Sequence, residues 1–215
     1  MYKIYINEIP VLLISTKDAQ LDLEAPPNTM KVKYTGRVKH LLNYIDMCEK
    51  HPLIKKLVVY HDDFEVLKRD FKTIYTEIEA AGGLIINEFN EYLFIFRRGY
   101  WDLPKGKREK TETKKITAIR EVMEETGITN VSIVSKIGFT RHTFKNRLGI
   151  RNIKKSHWYL MKTHKQNLIP EKAEDITQAI WMNMDDFLKN CTPVYASVLE
   201  MIDNYVNSLE AKDAI

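Results

Sequence analysis

The segment from Gly106 to Ile128, GKREKTETKKITAIREVMEETGI, constrains this chain more than any other. Its second half has the apolar spacing of a helix, which we expect to run from about Thr113 to Thr126. Gly127 follows at once and suits the left-handed residue that often ends a helix. The segment therefore predicts a loop that leads into one well-terminated helix.

Three acidic residues on this helix, Glu121, Glu124 and Glu125, are spaced so that they share one helix face. Carboxylates crowded on one face repel each other, and a divalent cation among them relieves that repulsion. Oxygen ligands suit Mg²⁺, or Mn²⁺, rather than zinc. A metal held in this way keeps positions open for water and phosphate oxygens, so it can activate water against a phosphoanhydride.

Two further residues support this interpretation. Arg120 can pair with Glu112 or with the acidic cluster, and either pairing would hold the carboxylates in place. Gly106 allows a backbone turn before the helix. A short acidic stretch such as EVMEE is usually a solvated helix face, but here the glycine, arginine and glutamate positions occur together, which favours a functional site.

These positions match the pattern Gx5Ex7REUxEExGU, where U is apolar, and the chain therefore resembles the Nudix hydrolase family. The wider resemblance begins at AAGGLII, from Ala80 to Ile86, and reaches the C-terminal helix. It implies an α/β fold, the Nudix α/β/α sandwich with a mixed sheet, preceded here by a small N-terminal α/β module. It also implies hydrolysis of an acid anhydride in a nucleoside-diphosphate-linked substrate.

The resemblance assigns roles to the matching positions. Glu121, Glu124 and Glu125 would be metal ligands and catalytic residues, with one of them serving as the base, and Arg120 would belong to the same catalytic group. The backbone carbonyl just before the box glycine, here that of Lys105, would also bind the metal.

Other positions would be structural or supplementary. Gly106, Glu112 and Gly127 would shape the box. In some members another glutamate from a later loop joins the metal. Glu171 and Glu174 are the candidates here, with Glu174 taken as the ligand and a solvated loop acid as the alternative.

The approach to the box, WDLPKGK, bears on the substrate. Its PKG tripeptide resembles diadenosine-tetraphosphate hydrolases, diphosphoinositol-polyphosphate phosphatases and mRNA-decapping relatives, all of which handle highly charged phosphate chains. Lys105, Lys107, Arg97 and Arg98 are therefore predicted phosphate contacts. For any one of them, a solvated surface base is the alternative.

An aromatic pair follows the box. The counterpart of the strand that contains Trp158 and Tyr159 lines the pocket in dinucleoside-polyphosphate members, so either ring could stack a base, and Tyr159 is taken as the predicted residue. Alternation along a strand sends the two rings to opposite faces, so at most one of them can stack a base. The basic segment Arg141 to Ser156 is rich in loop signals and is predicted either to reach a polyphosphate or to form a solvated hairpin tip.

The length of 215 residues favours one large domain, or one domain with a smaller module. We predict a module over residues 1–76, whose role is packing on the hydrolase, shaping the pocket or forming a dimer surface, and a hydrolase domain over residues 77–215. The predicted elements are strands Tyr2–Ile6, Val11–Ser15, Lys56–Tyr60, Ala80–Ile86, Tyr92–Arg97, Val131–Phe139, His157–Thr163 and Ala179–Met182, helices Val38–Cys48, Phe64 to about Ile78 and Val194–Leu209 after Thr192-Pro193, and a loop Asp18–Thr29.

Composition narrows the partners and the compartment. A net charge of +4 is too small to indicate a nucleic-acid binder but suits a pocket for polyphosphate. The two cysteines, Cys48 and Cys191, lie far apart, which favours a reducing cytoplasm over a disulfide framework. The start lacks a signal-peptide pattern, and no apolar run reaches the roughly 18 residues of a membrane span. We therefore expect a cytoplasmic protein with a small nucleotide substrate and no membrane partner, and a homodimer is left open.

Three functions remain. The first is hydrolysis of a dinucleoside polyphosphate. The second is a Nudix enzyme on ADP-ribose, oxidised nucleoside triphosphates or capped RNA. The third is a nucleotide sensor without turnover, against which the intact box argues.

Overall fold

A computed structural model describes residues 1–21, 27–51 and 53–213, with side chains up to residue 209. The chain divides into two compact units. Unit 1 contains Met1–Glu77 and Arg141–Lys154, and unit 2 contains Ile78–Thr140 and Lys155–Ile215. No helix in the described ranges is both long enough and apolar enough to cross a membrane.

Unit 1 is an α/β arrangement with one hairpin and parallel strands. Strands β1 and β2 form the antiparallel hairpin, with Tyr2 opposite Leu13, and β2, β4 and β3 are parallel neighbours. Its elements are β1 (Tyr2–Ile6), β2 (Ile9–Ser15), α1 (Thr16–Leu21), β3 (Thr29–Lys33), α2 (Val38–Lys50), β4 (Lys56–His61) and α3 (Phe64–Lys72). Helices α2 and α3 pack on one face of this sheet, and α1 packs on the other.

Two expectations for unit 1 were wrong in their bounds. The predicted loop Asp18–Thr29 begins inside helix α1 and ends at strand β3, while residues 22–26 of it lie outside the described residues. Helix α3 begins as predicted, with the Asp63 carboxylate accepting the N–H groups of Glu65 and Val66, but it ends at Lys72 rather than near Ile78. The β-branched residues that follow favour extended backbone, and the chain enters the next strand at Thr76.

Unit 2 places helices on both faces of a sheet. Its sheet has the order β11-β6-β5-β10-β9, with β7 paired to β6 and β8 paired to β5. Its elements are β5 (Thr76–Ile86), β6 (Tyr92–Arg97), β7 (Tyr100–Asp102), β8 (Lys105–Lys107), α4 (Lys114–Thr126), β9 (Ser132–Lys145), β10 (Arg151–Lys162), a 3-10 turn (Lys172–Glu174), β11 (Ile176–Met182), α5 (Met184–Asn190) and α6 (Ala196–Asp213).

Alternate residues of the unit 2 strands enter different cores. Leu93 packs with α4 on one face, and Phe94 packs with α5 and α6 on the other. In unit 2, β11 pairs antiparallel with β6, and in unit 1, β2 pairs parallel with β4, so strand pairing in the protein is mixed. Because helices also cover both faces of the unit 2 sheet, the predicted α/β/α sandwich is confirmed.

The segment Arg141 to Ser156 forms the end of a hairpin, which was one of its two predicted alternatives, and the tip at residues 145–150 is exposed. Strand β9 continues to Lys145 and β10 starts at Arg151. The turn between them is closed by Asn146, whose N–H donates to the carbonyl of Ile150 over 3.0 Å. Within unit 1, Arg151 forms ion pairs with Asp46 and Glu49, so its charge is compensated inside the protein.

The last helix also starts later than predicted. Helix α6 begins at Ala196, and the carbonyl of Tyr195 accepts the N–H groups of Val198 and Leu199. Thr192-Pro193 therefore precedes the helix without forming its cap and first turn.

Candidate active site

The loop before α4 runs beneath the carboxylate of Glu121. Strand β8 pairs with β5 so that Gly106 lies opposite Ala81. A Cβ atom at position 106 would lie 1.7 Å from Oε2 of Glu121, so the absence of a side chain allows this carboxylate to rest on the backbone. Helix α4 ends at Gly127, which has the left-handed φ of 72° expected from the sequence.

Arg120 links the acidic groups of the box. Its Nε and Nη2 donate to the two oxygens of Glu112 over 2.6 Å and 2.9 Å, a paired geometry that suits a guanidinium and a carboxylate. Its Nη1 donates to Oε1 of Glu121 and to Oε2 of Glu124, both over 2.8 Å. Both pairings that the sequence left open therefore occur together. The hydrogen bond from Arg120 lowers the pKa of Glu112 to about 2.

The three glutamates of α4 have different surroundings. The side chain of Glu124 is 56% exposed, that of Glu121 is largely buried, and that of Glu125 is only 2% exposed. Burial raises the pKa of Glu121, and the nearby charges of Glu124 and Glu174 raise it further. Burial also raises the pKa of Glu125. Negative charge is therefore costly here unless a cation compensates it.

The donor set fits a divalent cation. Among the described side chains, no group of three or more His, Cys, Asp or Glu residues is arranged to hold a metal as it stands. However, one nitrogen of Arg120 lies 2.8 Å from both Glu121 and Glu124, so a single positive centre already fits between these two carboxylates. Their oxygens, with those of Glu125, are the hard donors that Mg²⁺ and Mn²⁺ prefer.

Behind this face lies a buried ion cluster formed by Arg97, Asp102, Lys105 and Glu125. Nη1 of Arg97 lies 3.1 Å from Oε1 of Glu125, and its Nε lies 3.1 Å from Oδ2 of Asp102. The ammonium of Lys105 bonds to Asp102, and the backbone N–H of Lys105 donates to Oε2 of Glu125 over 2.9 Å. All four side chains are nearly or fully buried.

This cluster corrects two predicted phosphate contacts. The cationic groups of Arg97 and Lys105 face buried carboxylates rather than an open surface. Asp102 explains why, because a buried carboxylate requires a compensating charge. Asp102 was missed by sequence reasoning, although an acid between the large apolar residues Trp101 and Leu103 could have indicated it.

The other predicted contacts lie on the surface. Lys107 is exposed. Arg98 is exposed and pairs with Asp175 over 2.9 Å. Of the two loop glutamates, Glu171 caps the 3-10 turn by accepting the N–H of Ala173. The charge of Glu174 contributes to the raised pKa of Glu121, and the backbone N–H of Glu171 donates to the carbonyl of Glu125 over 3.1 Å, so the loop brings both glutamates towards the box.

The aromatic pair is buried. Tyr159 belongs to the core beneath α4, and Trp158 belongs to the core on the opposite face, where its Nε1 donates to Oγ1 of Thr140 over 2.9 Å. The alternation is as expected, but neither ring offers an open face. The predicted base-stacking role of Tyr159 is therefore replaced by a role in the core.

Comparisons of the chain with a family model and with known proteins agree on one family. The NUDIX domain model matches residues 77–203, more than half of the chain. The putative mutator protein MutT4 of Mycobacterium tuberculosis is 41% identical over 90 residues, which cover 41% of this chain and 35% of that protein. The mRNA-decapping enzyme subunit 2 of Arabidopsis thaliana is 22% identical over 138 residues, which cover 62% of this chain and 34% of that protein.

The chain thus spans about a third of the length of these curated relatives. A crystal structure of a MutT protein from Methanosarcina mazei Go1 is similar in fold, with a TM-score of 0.50 and 24% identity over 62% of this chain and 96% of that chain. From the complete box, the sandwich fold and the match of the domain model, the chain belongs to the NUDIX domain family.

Proposed function

We propose that this protein is a divalent-metal-dependent pyrophosphohydrolase that cleaves a phosphoanhydride bond in a nucleoside-diphosphate-linked substrate. The observation that carries the proposal is the acidic face of α4, where Glu121 and Glu124 converge on one cationic nitrogen. Family membership and the MutT-like relative support the same reaction class.

In this proposal, one set of residues binds the cation and another holds those ligands in position. Glu121 and Glu124, with Glu125 and the carbonyl of Lys105, hold the cation, and Glu174 approaches from the following loop. When bound, this cation would supply Lewis-acid chemistry and lower the pKa of the attacking water. Arg120 fixes the carboxylates through its bonds to Glu112. One of the box glutamates would take a proton from water, the water oxygen would attack phosphorus, the bridging P–O bond would break, and the leaving phosphate would take the electron pair.

Mg²⁺ is the proposed physiological ion and Mn²⁺ the substitute. All proposed donors are oxygen atoms, and Mg²⁺ held by few carboxylates keeps positions free for water and phosphate oxygens. No sulfur or imidazole donor lies among the proposed ligands, which argues against zinc.

For the substrate we propose a dinucleoside polyphosphate. The PKG approach still resembles enzymes of that class, but the amine of Lys105 no longer supports the choice because it is buried. The exposed bases Lys107 and Arg98 are the remaining candidates for phosphate contacts. An open cavity of about 750 Å³, lined in part by Phe96, Arg98 and Lys172, lies beside the loop that carries Glu174 and offers space for a substrate.

Capped RNA is the second candidate. It is favoured by the similarity to the Arabidopsis decapping subunit. Phosphate contacts from Lys107 and Arg98 serve either substrate, so only turnover distinguishes them.

The test is a substrate panel with matched variants. Diadenosine tetraphosphate, capped RNA, ADP-ribose and 8-oxo-dGTP are incubated with Mg²⁺ in ¹⁸O water, and the labelled product identifies the phosphorus attacked. Glu124→Gln and Glu125→Gln should each lower kcat by a factor on the order of 100 or more, and a chelator should abolish turnover. Glu65→Gln, an exposed change in unit 1, is the control and should retain activity.

Full activity of both box variants would contradict the mechanism. Tight nucleotide binding without turnover of any panel member would instead support a non-catalytic sensor.

A further inference from the structure

The buried ion cluster holds two negative and two positive groups in balance. Asp102 and Glu125 face Arg97 and Lys105, and all four side chains are withdrawn from solvent. Inside a protein, such charges remain ionised only when each is compensated. The balance therefore depends on every member, including Asp102, whose side chain is 2% exposed.

Arg97 is shared between the two acids. One of its terminal nitrogens donates to Glu125, while its Nε faces Asp102 at 3.1 Å without the geometry of a hydrogen bond. Asp102 thus draws part of the guanidinium charge away from Glu125. It also bonds the ammonium of Lys105, the residue whose backbone N–H holds the other oxygen of Glu125.

Loss of the Asp102 charge would leave Arg97 and Lys105 opposite Glu125 alone. Two positive groups would then face one carboxylate, and Glu125 would be neutralised from within the protein. A divalent cation on the outer face of α4 would meet an excess of internal positive charge. Cation affinity should fall even if the fold is intact.

We propose that Asp102 is a positioning residue that keeps Glu125 available to a divalent cation by holding Arg97 and Lys105. The inference rests on the proposed function, because it concerns the same cation. Asp102 does not touch the cation or the substrate, so its effect passes through Arg97, Lys105 and Glu125.

The experiment measures binding of Mn²⁺ to the metal-depleted full chain, by the electron paramagnetic resonance signal of free Mn²⁺. Asp102→Asn retains an oxygen that can accept the N–H of Leu103, which now donates to Oδ1 over 2.8 Å, but removes the charge. We expect Mn²⁺ affinity to fall about tenfold or more, the usual range when a group behind a metal ligand is altered. Thermal unfolding is followed in parallel, and binding is measured well below the transition.

A double variant separates charge from structure. Asp102→Asn combined with Lys105→Met removes one charge of each sign and leaves a single Arg97–Glu125 pair. The double variant should regain Mn²⁺ affinity within about threefold of the wild-type value, the scatter usual for such effects. Asp46→Asn, which removes one of the two acids that pair with Arg151 in unit 1, is the control and should leave Mn²⁺ affinity unchanged.

Each outcome has one meaning. If the wild-type protein binds no Mn²⁺, the proposed function itself is wrong. If it binds and Asp102→Asn binds equally well, only the positioning role is wrong. If Asp102→Asn does not fold, the double variant decides alone, because weak binding by a folded, charge-balanced double variant would overturn the inference.

Discussion

Single buried residues in unit 2 show how strongly burial controls charge. Glu124 and Glu125 are neighbours in sequence, yet one is mostly exposed and the other is enclosed by Arg97 and the backbone of Lys105. Outside the box, His157 is another ionisable side chain whose charge is controlled by burial. It is 4% exposed, and neither ring nitrogen has a hydrogen-bond partner among the described residues.

His157 predicts a stability loss in mild acid. Burial, and then the charges of Lys114, Lys155 and Lys136, lower the pKa of His157 from 6.5 to about 4, with Glu79 opposing them. Between these values the unfolded chain takes up a proton that the folded chain does not, so stability falls as pH decreases from about 6.5 towards 4. This group alone should make the protein about 2 kcal/mol less stable at pH 5 than at pH 7.5.

Urea denaturation at both pH values checks this expectation. His157→Phe should remove that share of the difference. Tyr159→Phe, a change on the same strand and face that retains the histidine, should keep it. An unchanged pH dependence in His157→Phe would show that another group is responsible.

For single residues, the sequence predicted which glutamates form the acidic face but not which basic side chains compensate which buried carboxylates. Glu121, Glu124 and Glu125 follow from spacing alone, because helix geometry fixes their common face. The burial of Arg97 and Lys105 depends on Asp102 and on packing between strands, which spacing does not encode.

Among the elements, helix α4 and strand β8 together position the carboxylate of Glu121. The short strand brings Gly106 beneath Glu121, and the helix projects the carboxylate onto it. Gly106 does not have a left-handed φ, so its role is close approach rather than backbone freedom.

Gly106→Ala should therefore lower activity without unfolding the protein. The new methyl group would displace the Glu121 carboxylate, and misplacement by about 1 Å can cost on the order of 100-fold in rate. The measurement is kcat/KM together with the urea midpoint. Gly138→Ala is the matched control, since a Cβ there meets no atom within 4 Å. Equal activity of both alanine variants would show that Gly106 does not position the carboxylate of Glu121 for catalysis.

Helix α4 and strands β1, β4 and β6 were predicted to within one residue at each end, whereas the ends of β9 and β10 were not. Helix α4 was expected from Thr113 to Thr126 and spans Lys114–Thr126. Strands were expected at Val131–Phe139 and His157–Thr163, with a solvated hairpin tip between them as one alternative, but β9 runs on to Lys145 and β10 starts at Arg151. The additional residues were not expected to be extended because they are polar and lie beside the turn around Gly149, and pairing with neighbouring strands makes them extended.

For the whole molecule, the notable feature is a discontinuous unit 1. Residues 141–154 belong to unit 1, although their flanking strands continue into unit 2. Ile153 is 1% exposed and lies in the core of unit 1. The predicted domains, residues 1–76 and 77–215, stay a prediction; a linear reading of the sequence assigns uninterrupted ranges and does not foresee a segment contributed from elsewhere in the chain.

Truncation should reveal this segment. A fragment of residues 78–215 would expose Ile153 and leave Arg151 without Asp46 and Glu49, so we expect it to aggregate. Replacing residues 141–154 of the fragment with a short Asn-Gly turn should restore a monomer. Size-exclusion chromatography with light scattering measures the monomer fraction. A fully monomeric unmodified fragment would show that these residues do not need unit 1.

The hydrogen bonds of Arg120 bear on whether the protein must bind a cation before it can fold. In the folded protein, a guanidinium supplied by the chain itself compensates Glu112, Glu121 and Glu124. Folding then does not have to wait for a captured ion, in contrast to small domains that stay unfolded until they acquire one. Under the proposed mechanism, a shortage of divalent ions would then leave folded but inactive molecules, and the supply of the ion would set the active fraction.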